Sequence, residues 1–181
     1  MSLHCSVDLE TLDNVASSKI LSIGAVVFNS EGTFLSTFYR NINIDGQEDR
    51  SISHDTLLWW FKQSDAARSA FTAPTASKHP LLATLTALNQ LVSPHKGIKM
   101  WSNGANFDLP ILAHAMRQKG ITPAWDFWNE RCFRTIKAQY KLLVPEAKRE
   151  GEHHNALDDA KHQAHHLIAI HRARAASGGI L

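Results

Sequence analysis

The stretch "CSVDLETLD" near the start of the 181-residue chain sets Asp8 and Glu10 two residues apart. On a strand, residues at that spacing share a face and lie about 6.6 Å apart along it. Cys5, Val7 and Leu9 then take the opposite face, toward a core. Two neighbouring carboxylates repel each other unless a positive charge sits between them, and a divalent cation is the usual solution. Read in isolation, the same pair also describes a solvent-facing strand edge, so the rest of the chain has to decide between the two.

Two further stretches bear on that choice. Asp108 falls just after an expected strand and at the start of a helix, where the helix dipole and free backbone N–H groups favour an ionised carboxylate; a plain N-cap is the alternative. In "HHNALDDAKHQA", Asn155 is a good N-cap with Asp158 at the third helical position as its capping-box partner. On one continuous helix His154 and Asp159 would be rotated by about 140°. With His154 on the preceding loop, both can face one cleft. The apolar stripe of this helix runs through Ala156, Leu157, Ala160, Ala164, Leu167 and Ile168. Asp159 flanks the stripe and is the candidate ligand. Asp158 lies nearly opposite, beside Lys161, His162 and His165, and reads as a solvated cap.

The elements that must position these groups follow from patterning. "SKILSIGAVVFN" and "TFLSTFYRNINI" form a hairpin around "SEG", after the strand that carries Asp8. "ISHDTLLWWFKQS" reads as a helix capped by Ser53 or Asp55, with Leu58, Phe61 and one tryptophan available for burial. "HPLLATLTALNQLV" is an amphipathic helix, "IKMWSNG" returns to strand, and "NFDLPILAHAMRQKG" is a helix with Pro110 in its first turn and Gly120 at its stop. "ERCFRTIKAQYKLLVP" and "NALDDAKHQAHHLIAIHRARAAS" supply two more helices. Strands followed by alternating helix and strand predict an α/β domain with a mixed sheet. Residues 1–175 read as one domain, 73–80 as its clearest loop and 176–181 as a short flexible tail.

Composition is that of an ordinary globular protein, and the net charge of +2 does not by itself announce a nucleic-acid binder. The charge is uneven. Residues 1–95 hold 6 Lys and Arg against 9 Asp and Glu, whereas residues 96–181 hold 13 against 8, a surface that could meet a polyanion. Two cysteines give no disulfide framework. The candidate strand begins within five residues of Met1, and no apolar run reaches membrane-spanning length, so a cytoplasmic protein without membrane contact is expected.

Taken together, "VDLET", "NGANFDLPIL" and "HNALDDA" stand in the order of the three motifs of the DEDDh branch of the DnaQ-like 3′–5′ exonucleases, and the chain resembles that family over nearly its whole length. "SHDTLLWWFKQSDAARSAF" and "PAWDFWNERCFRT" resemble more narrowly a group of small bacterial and phage members that includes a mycobacterial exoribonuclease. One departure is Gly104, where many relatives carry an asparagine four residues before the second-motif aspartate; Asn103 and Asn106 flank the position.

The resemblance implies a ribonuclease H-like fold with a central mixed sheet of five strands flanked by helices. It implies hydrolysis of single-stranded RNA or DNA from the 3′ end, releasing nucleoside 5′-monophosphates. Two divalent cations, Mg²⁺ or Mn²⁺, would lie about 3.5–4 Å apart to hold the attacking and leaving oxygens. By the same resemblance Asp8 would bridge both ions, Glu10 and Asp159 would complete the first site, and Asp108 would hold the second, through water. His154 would be the general base, an imidazole suited to neutral pH. Thr11 and Leu12 would line the end of the cleft, with Asn106, Phe107 and Trp60 as further substrate contacts. Phe107 suits the core better than a substrate contact, and of the adjacent Trp59 and Trp60 only one can be buried. The alternatives are a catalytically inactive nuclease fold that binds nucleic acid and a polymerase-associated proofreading subunit. A homodimer is compatible with the tryptophans of "WDFWN".

Other signals point elsewhere. His162 and His166 are spaced to hold zinc, but no third ligand stands at suitable spacing and a solvated polar face accounts for them. Arg131, Arg134 and Lys137 lie on one expected helical stretch, where they could meet a phosphate backbone or simply face solvent.

Overall fold

The computed structural model describes residues 2–72, 74 and 77–178. Five strands form one sheet in the order β3-β2-β1-β4-β5. β1 (Leu3–Thr11), β2 (Ile20–Asn29) and β3 (Phe34–Asn41) make an antiparallel meander, and β4 (Lys99–Ser102) and β5 (Glu130–Cys132) add to β1 in parallel. The sheet is therefore mixed, as expected. The helices are α1 (His54–Phe61), α2 (Ser69–Thr72), α3 (Leu81–Val92), α4 (Asp108–Gln118), α5 (Phe133–Tyr140) and α6 (Ala156–Ala176).

Both faces of the sheet are covered. Cys5, Val7 and Leu9 of β1 join Leu85, Leu88, Ile111 and Leu112 of α3 and α4 in the larger core. Val26 and Phe28 of β2 meet Ala160, Ala164, Leu167 and Ile168 of α6 on the other face, closed by Trp101 and Phe133. Coverage from both sides explains why β2 is an unbroken buried run with no polar alternation. Each fully buried Leu or Ile contributes about 1.5–3 kcal/mol. β1 thus shows its apolar residues to α3 and α4, and turns Ser6, Asp8 and Glu10 toward α6.

Three expectations need correction. The stretch expected as one helix from Glu130 begins as β5, a three-residue edge strand, and α5 starts only at Phe133. Its parallel pairing with β4 supplies the fifth strand that helical patterning could not show. In α1, capped by Ser53, Leu58 and Phe61 are exposed, and it is Leu57 and Trp60, three apart, that turn inward with Leu12, Leu21 and Ala67. His162 and His166 are buried rather than solvated, because residues 145–152 fold back over α6. Of the expected loop 73–80, residues 73, 75 and 76 lie outside the described residues, as do 179–181 of the expected tail; α6 itself continues to Ala176. Among the described residues no helix is long and apolar enough to cross a membrane.

Candidate active site

A cleft of about 490 Å³ opens at the C-terminal end of β1, lined by Asp8, Glu10, Asp108, Asp159 and His154. Three elements deliver these groups. β1 brings Asp8 and Glu10 into the cleft on one face, with an irregularity in the pairing to β2 between Glu10 and Thr11. α4 starts at Asp108, whose Oδ1 accepts the backbone N–H of Leu9 at 3.0 Å. α6 is capped by Asn155, which accepts the N–H groups of Leu157 and Asp158. Asp159 then falls in the first turn, facing the sheet.

His154 stands just before that cap with φ 65°, a left-handed backbone that a histidine adopts at a cost. Its N–H donates to Asp159 Oδ2 at 3.0 Å, so the loop carrying the imidazole is tied to the carboxylate beside it. Ligand atoms of Glu10, His154 and Asp159 all lie within 4.8 Å of one another. Asp158 does not complete a reciprocal capping box with Asn155; its Oδ2 accepts the N–H of Glu152, which holds the incoming loop.

The electrostatics show what the cluster lacks. Burial, then repulsion from Asp108, Glu10 and Asp159, pushes the Asp8 carboxyl well above the usual carboxylate range, against the opposing pull of a hydrogen bond from Gln163. Burial followed by Asp159 and Asp108 does the same to Glu10. Burial raises Asp108 to about 7 even though the Leu9 N–H and Arg134 oppose the rise. Asp108 Oδ2 is buried with no hydrogen-bond partner. A group of carboxylates that resist ionisation, one with an orphaned buried oxygen, fits hard divalent cations held through oxygen.

His154 is shifted the other way. Burial and the neighbouring His153 lower its pKa, with Asp159 opposing, so the imidazole is neutral near pH 7. Trp59 meets its ring edge-on at 4.7 Å.

Not every expected substrate contact reaches the cleft. Thr11 and Phe107 line it. Leu12 is buried at 2% exposure among Leu21, Trp60 and Ala67, because the chain turns inward there. Trp60 also borders the cleft but is equally buried, its Nε1–H donating to the Thr11 carbonyl at 2.8 Å, whereas Trp59, which borders it too, is 41% exposed. The indole free to meet a ligand is therefore Trp59. Asn106 lines a shallower cavity beside Gly104 and Arg134 rather than the cleft itself. Asp13 borders the cleft as well. Arg134 and Lys137 line it too, while Arg131 lies on β5 and donates to the Trp128 and Glu130 carbonyls.

Two residues of the site escaped the sequence reading. Gln163 donates to Asp8 Oδ1 at 2.8 Å and accepts from Ser6, orienting the carboxylate; its only sequence signal was its place one turn after Asp159. Arg149 pairs with Asp159 Oδ1 from the loop before α6. No periodicity in "EAKREGE" marks it.

The mixed five-stranded sheet flanked by helices is the fold of the solved exonuclease structures on which the chain superposes. The chain belongs to the Rv2179c-like 3′–5′ exoribonuclease domain family, whose model matches residues 3–171. Similar solved structures include E. coli exonuclease I in complex with a dT13 oligonucleotide, with a TM-score of 0.71 at 13% identity, covering 99% of this chain and 43% of that one. The nuclease domain of 3′hExo, a DEDDh member bound to rAMP, superposes with a TM-score of 0.62 at 13% identity, over 94% of this chain and 92% of that one. A zinc-bound form of the E. coli exonuclease I complex with single-stranded DNA gives 0.65 at 16% identity, over 99% and 42%. The chain thus spans less than half the length of exonuclease I. No curated protein matches this sequence.

Proposed function

We propose that this chain is a metal-dependent 3′–5′ exonuclease that hydrolyses single-stranded RNA or DNA and releases nucleoside 5′-monophosphates. The observation that carries the reading is the convergence of Asp8, Glu10, Asp108 and Asp159 beside a neutral His154, with Asp108 Oδ2 left without a protein partner. Asp8, Glu10 and Asp159 would hold one divalent cation, Asp8 and Asp108 a second, and Mg²⁺ or Mn²⁺ suits an all-oxygen set. Cations bound there would make water more acidic and offset charge building on the phosphate and the leaving oxygen.

The remaining roles fall to the chain itself. His154 accepts the proton of the attacking water, and its burial keeps it unprotonated near neutral pH. Its own N–H, fixed on Asp159, holds the imidazole in register with the carboxylates. Gln163 keeps Asp8 turned into the cleft. Thr11 and Phe107 border the place of the terminal nucleotide, with Trp59 offering an exposed ring face.

Residues 1–175 act as one exonuclease domain on this reading. The free thiols Cys5 and Cys132 accord with a reducing, cytoplasmic setting. A homodimer is the further partner we infer, from Phe127 and Trp128, both exposed next to the edge strand β5; light scattering would report it. The catalytic reading is tested by incubating an oligonucleotide with a free 3′ end in Mg²⁺ or Mn²⁺. Mononucleotides should accumulate and EDTA should abolish them. Binding without release would instead favour an inactive nuclease fold.

A further inference from the structure

α5 carries Arg134 and Lys137 three residues apart, and Lys141 caps the same helix four residues later. Positions i, i+3 and i+7 share one helical face. Arg134 and Lys137 line the catalytic cleft, and both also line an adjoining cavity of about 630 Å³ with Asn103, Lys141, Val144 and His166. The two spaces therefore meet along a wall of α5, and a chain leaving the cleft on the Asp108 side runs directly into the second.

The chemistry of that second space suits a phosphate backbone. Lys141 is exposed and makes no ion pair among the described residues. Arg134 donates to the Asn103 carbonyl from one nitrogen at 3.0 Å, leaving its other donors to the cavity. Lys137 is held by Glu146 at 2.6 Å, so the loop fixes it rather than letting it swing into solvent. His166 forms part of the cavity's wall. It is 3% exposed, its ring stands edge-on to Phe133, and its Nε2 has no hydrogen-bond partner.

We propose that this face of α5 and its cavity form a track for the sugar-phosphate backbone upstream of the bond being cleaved, with successive phosphates on Arg134, Lys137 and Lys141. The proposal rests on the exonuclease reading and specifies how that enzyme holds its strand. Arg134 to Lys141 spans about 10 Å of helix, and a stacked strand rises about 3.4 Å per nucleotide, so the track takes about three nucleotides. Its cations meet phosphates rather than base edges, so it grips strands without regard to sequence.

The test is binding of 5′-labelled oligonucleotides of two and eight nucleotides, each made as RNA and as DNA, followed by anisotropy in Ca²⁺ at 50–200 mM salt. Wild type is compared with Lys141→Ala and with Lys96→Ala, an exposed lysine in the turn between α3 and β4. Loss of one phosphate contact lowers the salt slope for a single strand by about 0.7, so wild type should lose about 2.6-fold more affinity for the octamer across that range than Lys141→Ala does. The dinucleotide, too short to reach Lys141, should show equal slopes for both, and Lys96→Ala should match wild type on both lengths. An octamer slope unchanged by Lys141→Ala, or a dinucleotide slope changed equally, overturns the track while leaving the exonuclease reading standing. A wild-type protein that binds none of these oligonucleotides and degrades none in Mn²⁺ overturns both.

Discussion

Gly24 is where the fold and the site are most tightly joined. It sits on β2 opposite Asp8, and a Cβ built there would lie 2.1 Å from the Ala156 carbonyl carbon and oxygen and 2.3 Å from the Leu157 nitrogen. All three are backbone atoms of the first turn of α6. No rotamer change relieves the clash. Ordinary contact begins near 3.4 Å, so α6 would have to retreat by about 1 Å or more. That turn carries Asp159 and follows directly on Asn155 and His154. Overpacking of this kind costs about 1–3 kcal/mol. For a chain of this size each kcal/mol lowers Tm by about 2–4 °C, so Gly24→Ala should melt about 2–12 °C below wild type. Activity should fall further than folding does, because a 1 Å misplacement of reacting groups costs about 10²-fold. The assay is kcat at 25 °C with saturating Mn²⁺, alongside a thermal melt showing the variant still folded. A variant with wild-type Tm and wild-type kcat would refute the claim that the backbone of β2 seats the catalytic end of α6.

Other substitutions separate the roles assigned in the cleft. His154→Ala should lower kcat by about 10²–10⁴-fold while Mn²⁺ binding followed by calorimetry persists; near-normal turnover would remove His154 as the base. Trp59→Ala should raise KM by roughly 5- to 150-fold, the loss of one base stack of about 1–3 kcal/mol, and an unchanged KM would leave Trp59 without a substrate role. Asp108 is raised from 3.8 to about 7, so the folded state binds its proton more tightly than the unfolded chain does. Its contribution is fully present below about pH 4 and is lost as pH rises through about 7. Asp108→Asn should therefore be inactive, yet in EDTA its stability relative to wild type should increase between those pH values, with a limiting slope of about 1.4 kcal/mol per pH unit. A difference that stays flat with pH would show that the carboxyl is not buried as described.

What the sequence disclosed and what it withheld divide along physical lines. Asp8, Glu10, Asp108, His154 and Asp159 were legible because each sits at a place that local rules identify: alternate positions of a strand, the first turn of a helix, the residue before an N-cap. The choice of Asp159 over Asp158 followed from helical phase, and the structure turns Asp159 to the sheet and Asp158 to the Glu152 N–H. Arg149 and Gln163 depend on contacts across the fold. Gln163 meets Asp8 from 155 residues away, and Arg149 lies on a polar loop with no period to read. That loop also explains the mistaken exposure of His162, which looks solvated on α6 until Glu146 folds over it. β5 was hidden for another reason. Three residues with no alternation and a helix directly behind them read as helix, and only the free edge of β4 makes them a strand. Trp59 and Trp60 differ by one residue, and their assignment turned on how α1 packs, with Leu57 rather than Leu58 facing in.

The central claim is metal-dependent removal of nucleotides from the 3′ end. Matched single-stranded RNA and DNA of one sequence, each labelled at the 5′ end, should be digested side by side with Mg²⁺, with Mn²⁺ and with EDTA. A ladder of 5′-labelled products shortening one nucleotide at a time should appear with either cation and be absent in EDTA, and the ratio of the RNA and DNA rates then reports the sugar preference. Immediate release of labelled mononucleotide, internal cuts without a ladder, or degradation that persists in EDTA would contradict it.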